Sequence, residues 1–104
     1  MRHKNKFDHV AVCVTNLKRS ISWYCNKYEN VSILYEDETW ALLKIEDVKV
    51  AFILNNIHPP HIAFSQISNI PPEAKMHRDG SYYIYDKDPD GNVVERIWWP
   101  DGNR

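Results

Sequence analysis

The 104-residue chain has no excess of either charge: 13 basic and 14 acidic residues, interspersed, leave a formal charge of −1. No basic patch or RNA-binding signature stands out, which argues against nucleic acid as a partner. Long apolar runs are also missing. The most apolar stretch, VKVAFIL at 48–54, is short and carries a lysine, so it is no membrane span. The opening MRHKNKFDHV lacks a signal-peptide core. Two cysteines, Cys13 and Cys25, are too few for a disulfide framework, so reduced thiols in a cytoplasmic protein are the expectation. A chain of this length builds one core, and 1–104 is read as a single domain. Aromatics, by contrast, are plentiful: four Trp and six Tyr, residue types that fill cores and also line small-molecule pockets.

The chain nearly repeats itself. DHVAV at 8–12 and PHIAF at 60–64 share a His-aliphatic-Ala-hydrophobic pattern at an offset of 52. Each reads as a strand whose His shares a face with the Ala. After the first, Thr15 or Asn16 can cap a helix through about Tyr28, with Leu17, Ile21, Tyr24 and Tyr28 on one stripe. VSILYE (31–36), WALLKI (40–45) and VKVAFIL then read as strands, giving β-α-β-β-β. In the second copy, QISNIPPEAKMHRDG holds tandem prolines and is too polar for a full helix. SYYIYDKD (81–88) and NVVERIWW (92–99) form a hairpin around Pro89-Asp90-Gly91. Aligning the final strands puts Glu95 at the place of Ala51. The offset there is shorter, as expected if the second copy has a trimmed helix and a lost strand. Module 1 then spans about 7–54 and a shortened module 2 about 60–99. Its outer face, including Val94 and Trp98, is expected to be under-covered.

Glu95 poses the chemical question. A carboxylate among apolar strand residues is costly unless a cation meets it, and Arg96, its neighbour, points to the other face. His9, His61 and Glu95 are ligand types in related strand positions. Two imidazoles and a carboxylate on one face of a divalent ion leave positions open for water or substrate. Asp8 faces away from that pocket; His3 lies in a frayed end, His58 and His77 in solvated loops. Asp86, Asp88 and Asp90 read as turn chemistry.

On the residues FDHVAVCVTNLKRSISWY, HPPHIAF and YYIYDKDPDGNVVE the chain resembles the vicinal oxygen chelate superfamily, the glyoxalase/bleomycin-resistance/dioxygenase group. The resemblance implies an α+β fold of paired βαβββ modules curling into a cupped, half-open barrel around one divalent metal, Mn, Fe, Ni, Co or Zn. His9, His61 and Glu95 match the family's metal ligands, and Tyr85 sits where relatives carry a pocket tyrosine with a catalytic role. Trp40, Arg78, Tyr83 and Trp99 are the expected substrate-binding residues. The implied activity is that of a metal-dependent enzyme of lyase, thiol transferase or dioxygenase type. It would act on a small oxygenated substrate by chelating its oxygens and stabilising an enolate or oxyanion. The alternative is a metal-free binding protein of the bleomycin-sequestering kind. A homodimer is implied in either case. Ala51 stands where glyoxalase I-type members add a fourth ligand, and Ala11 where fosfomycin thiol transferases carry threonine.

Overall fold

The computed structural model describes residues 5–55 and 57–100, and His3 lies outside them. Those residues form an α+β arrangement of eight strands and one helix, and no helix is long and apolar enough to cross a membrane. The chain divides into two compact units. His9–Pro60 form one, the N-terminal unit; the chain from His61 onward, with the residues up to Asp8, forms the other, the C-terminal unit.

In the N-terminal unit, most of β1 (Lys6–Val14) is followed by α1 (Leu17–Lys27), β2 (Val31–Glu36), β3 (Trp40–Ile45) and β4 (Val48–Leu54). The strands lie in the order β2-β3-β4-β1, with β1 and β4 parallel and the other pairs antiparallel. The helix starts at Asn16, whose side-chain oxygen accepts the Arg19 backbone N–H at 2.9 Å and satisfies a donor the helix itself cannot. Leu17 and Ile21 bury against Ala41, Leu43 and Phe52, with Tyr24 packed beside them. Phe52 is wholly buried, a contribution of about 2–3 kcal/mol. Tyr28, expected on the same stripe, caps the helix C-terminus instead and is 40% exposed. The opposite sheet face is apolar too: Ala11, Leu42, Ala51 and Ile53 cluster with Tyr35 and Trp40. The β2–β3 turn is tied by Asp37, whose Oδ1 accepts the Thr39 N–H at 2.8 Å and the Trp40 N–H at 3.1 Å, while Tyr35 donates its hydroxyl to Oδ2 at 2.6 Å.

In the C-terminal unit the order runs from the start of β1 through β5 (His61–Ser65), β8 (Val93–Trp98) and β7 (Tyr82–Lys87) to β6 (Lys75–Met76). Ser65 Oγ donates to Lys6 O at 3.3 Å and Phe7 meets Phe64 edge-on. β5 and β8 are parallel, β8–β7 and β7–β6 antiparallel. The β7–β8 turn closes on Asp88, which accepts the Asp90 and Asn92 N–H groups at 2.9 and 2.8 Å; Gly91, at φ 87°, takes a conformation that suits glycine.

Each unit thus repeats one pairing scheme: a first strand parallel to the last, which is antiparallel to the one before it. Three expectations need correction. The strand thought lost from the second copy survives as the two residues of β6. Trp98 is only 3% exposed, and Ser68 Oγ, in the helix-free segment after β5, receives its indole N–H at 3.4 Å. Asp86 belongs to β7 rather than a turn and accepts from Arg96 Nε at 2.7 Å and Nη2 at 3.2 Å.

Candidate functional site

β8 runs through the middle of the C-terminal sheet, and alternation aims Val93, Glu95 and Ile97 to one face. Register sets Glu95 opposite Ala63 on β5 and opposite Tyr85 on β7, with Tyr83 opposite Ile97. In the other unit Ala11 pairs with Ala51, and Leu42 and Trp40 pair with Ala51 and Ile53. Glu95 therefore occupies the place of Ala51, Tyr85 that of Leu42, and Tyr83 that of Trp40. His61 precedes Ala63 by two residues, as His9 precedes Ala11, so each histidine shares the face of its alanine.

Glu95 is 1% exposed. Ionised carboxylates rarely stand at such burial without partners, and two imidazoles flank this one. His61 Nε2 lies 3.2 Å from Oε1, and His77 Nε2 lies 2.6 Å from Oε2. The His61 side chain is 3% exposed and that of His77 15%. His77 is thus no solvated loop residue. It follows β6 directly, its ring stacks on Tyr83 at 3.8 Å between centroids and 10° between planes, and its N–H donates to Ser81 O at 2.8 Å. Sequence reasoning missed it because a two-residue strand shows no period. The available signal was Asp79-Gly80 ahead of an aromatic strand, a hairpin turn that returns His77 alongside Ser81.

Tyr85 packs its ring 5.2 Å from that of His61 and 5.0 Å from that of Tyr83. Burial pushes the Tyr85 phenol well above its ordinary range, with the Glu95 carboxylate and Tyr83 adding to the effect. Burial and Glu95 push Tyr83 up in the same way. Both hydroxyls therefore stay protonated at neutral pH.

Arg78 is exposed on the β6–β7 turn next to His77, and Trp99 is half-buried just beyond β8. Trp40 lies on β3 of the other unit, half-buried and tilted against Tyr35 at 4.6 Å between centroids. His9 is buried on β1 at 5% exposure.

The imidazole of His61 and the carboxylate of Glu95, both within the C-terminal unit, are donor types that suit a divalent ion. Two donor atoms about 2.1 Å from a metal and at right angles are about 3 Å apart, close to the His61–Glu95 separation of 3.2 Å.

No family model matches the sequence, and no curated protein does. Among solved structures, a glyoxalase/bleomycin resistance protein/dioxygenase superfamily member from Vibrio splendidus 12B01 superposes with a TM-score of 0.67 at 13% identity. The match covers 92% of this chain and 100% of that one. The chain has the vicinal oxygen chelate fold. Lactoylglutathione lyase from Agrobacterium tumefaciens (16% identity, 88% of this chain and 91% of that one) and a bleomycin-binding protein complexed with bleomycin (13%, 86% and 94%) are also similar. Their TM-scores of 0.37 and 0.38 leave the fold assignment resting on the Vibrio structure. In terms of that fold the C-terminal unit is a module without a helix among its described residues.

Proposed function

We propose that the chain is a single-domain, cytoplasmic, metal-dependent enzyme of lyase, thiol transferase or dioxygenase type. In this reading His9, His61 and Glu95 hold one divalent ion. The observation that carries it is the carboxylate of Glu95, 1% exposed and met at 3.2 Å by an imidazole that a shared ion would bring to the same spacing. The ion, Mn, Fe, Ni, Co or Zn, supplies Lewis acidity toward a small substrate with neighbouring oxygens.

The chain's own residues do the rest. Tyr85 keeps its proton on the hydroxyl and presents it beside His61, where it can hydrogen-bond to a substrate oxygen that gains charge. Tyr83 and Trp99 would supply aromatic surface beside Glu95, and Trp40 is the substrate-binding aromatic proposed from the N-terminal unit. Arg78 offers a positive charge to an anionic substrate group.

Elemental analysis of protein purified without chelators tests the reading. Near-stoichiometric transition metal is expected in the wild type and its loss in His61→Ala. A metal-free wild type that still binds aromatic ligands would establish the sequestering alternative instead. Self-association is proposed with it. Ile62 and Ile67, 43% and 68% exposed, lie on and beside the face that has no helix, and a second copy would cover them. A monomer by sedimentation at micromolar concentration removes that part.

A further inference from the structure

We infer that His77 is a positioning residue: from the β6–β7 hairpin it holds the second oxygen of Glu95 so that the first stays aimed at the metal. The inference rests on the metal reading above and concerns a residue outside the ligand set.

A carboxylate turns easily about its last torsion, which is broad and two-fold. Left alone, Glu95 could present either oxygen, or both, to an ion. His77 Nε2 fixes one of them at 2.6 Å, while Oε1 lies on the His61 side. An Nε2 that donates its hydrogen has no lone pair left to bind metal, so His77 acts through Glu95. Hydrogen bonds of this kind orient metal-binding carboxylates and raise affinity.

The imidazole is itself held in place. Its ring is stacked flat on Tyr83. Lys75 pairs with Tyr83 and Met76 with Tyr82 in the ladder just before it, and the Gly80 N–H donates to His77 O at 3.0 Å. The turn is set by Asp79, whose Oδ1 accepts the Ser81 N–H at 3.0 Å and the Ser81 hydroxyl at 2.7 Å. Gly80 sits at φ 93°, which permits the tight return. A histidine that only filled space would need neither the short bond nor the aligned stack.

The test is a Co(II) titration of chelator-stripped protein, read by visible absorption and by competition with a chelating dye. Wild type, His61→Ala, His77→Ala, His77→Phe and His77→Gln are compared. His77→Phe keeps the stack on Tyr83 but removes the donor, and so separates hydrogen bonding from packing if the alanine variant is unstable. His77→Ala and His77→Phe are expected to bind Co(II) about 10–100-fold more weakly, with an altered absorption band. His77→Gln, whose amide can donate, is expected to recover most of the affinity. Wild-type affinity and spectrum in the phenylalanine variant, with binding lost in His61→Ala, overturn this role alone. A wild type that binds no Co(II) overturns the metal reading and this role together.

Discussion

Replacing Glu95 separates what the carboxylate does for the fold from what it does for a metal. In chelator, Glu95→Ala removes the group that faces His61 Nε2 and His77 Nε2 and leaves a gap at a position 1% exposed. Stranding a buried donor costs about 1–3 kcal/mol, and a cavity adds to it. A total near 3 kcal/mol follows, which lowers the urea midpoint by about 2 M at a slope of roughly 1.5 kcal/mol per molar. Glu95→Gln keeps an acceptor for His77 and nearly the same volume, so its loss is about 1 kcal/mol. The two variants converge, however, when a divalent cation is added. At a hundred times its dissociation constant a ligand stabilises the folded state by about 2.7 kcal/mol, or about 10–20 °C in melting temperature for a domain of this size. The wild type should show that gain by thermal unfolding, and neither variant more than a small part of it. An equal cation shift in wild type and Glu95→Gln would refute the reasoning, since the carboxylate would then contribute nothing to the ion.

Other consequences can be checked one at a time. Asp37 is lowered to about 2: burial, the largest single influence, raises it, but hydrogen bonds from Tyr35, Thr39 and Trp40 outweigh that. Its contribution is therefore complete above the unfolded-state value, about 4, and fades as pH falls from there toward 2. Asp37→Ala should cost about 1 kcal/mol at neutral pH, and the difference from wild type should vanish in acid unfolding near pH 2. Trp98→Ala should cost about 3 kcal/mol in urea; a loss below 1 kcal/mol would contradict the burial of the ring. An ultraviolet titration of tyrosinate up to pH 11 should be the same in Tyr85→Phe as in wild type, because burial keeps that phenol protonated. A missing ionisation in the variant would contradict the burial of Tyr85.

Where pattern and local chemistry agree, the fold was legible from residues alone. Leu17 and Ile21 lie on the predicted stripe, Asn16 is one of the two predicted caps, and the six longer strands after the helix fall within a residue of expectation. The equivalence of Glu95 and Ala51 also followed from sequence, because one repeated His-x-Ala strand and one final strand fix the register. Less legible was whatever depends on segments too short or irregular to carry a period. The two residues of β6 decide where His77 goes. The helix-free segment after β5 brings Ser68 to the Trp98 indole by tertiary folding, which no local pattern announces. Tyr28 fits the stripe by spacing, but the helix ends before it.

The placement of strands in the C-terminal unit also predicts an order of opening. β8 has a neighbour on each side and so does β5, whereas β6 is a two-residue strand at the margin. Amide exchange should therefore be fast around His77 and slow around Glu95 and His61. Transient release of β6 alone would let Glu95 swing for a moment while β8 stays paired with β5 and β7, so an ion held as proposed would come and go on the timescale of local fraying, long before the unit unfolds.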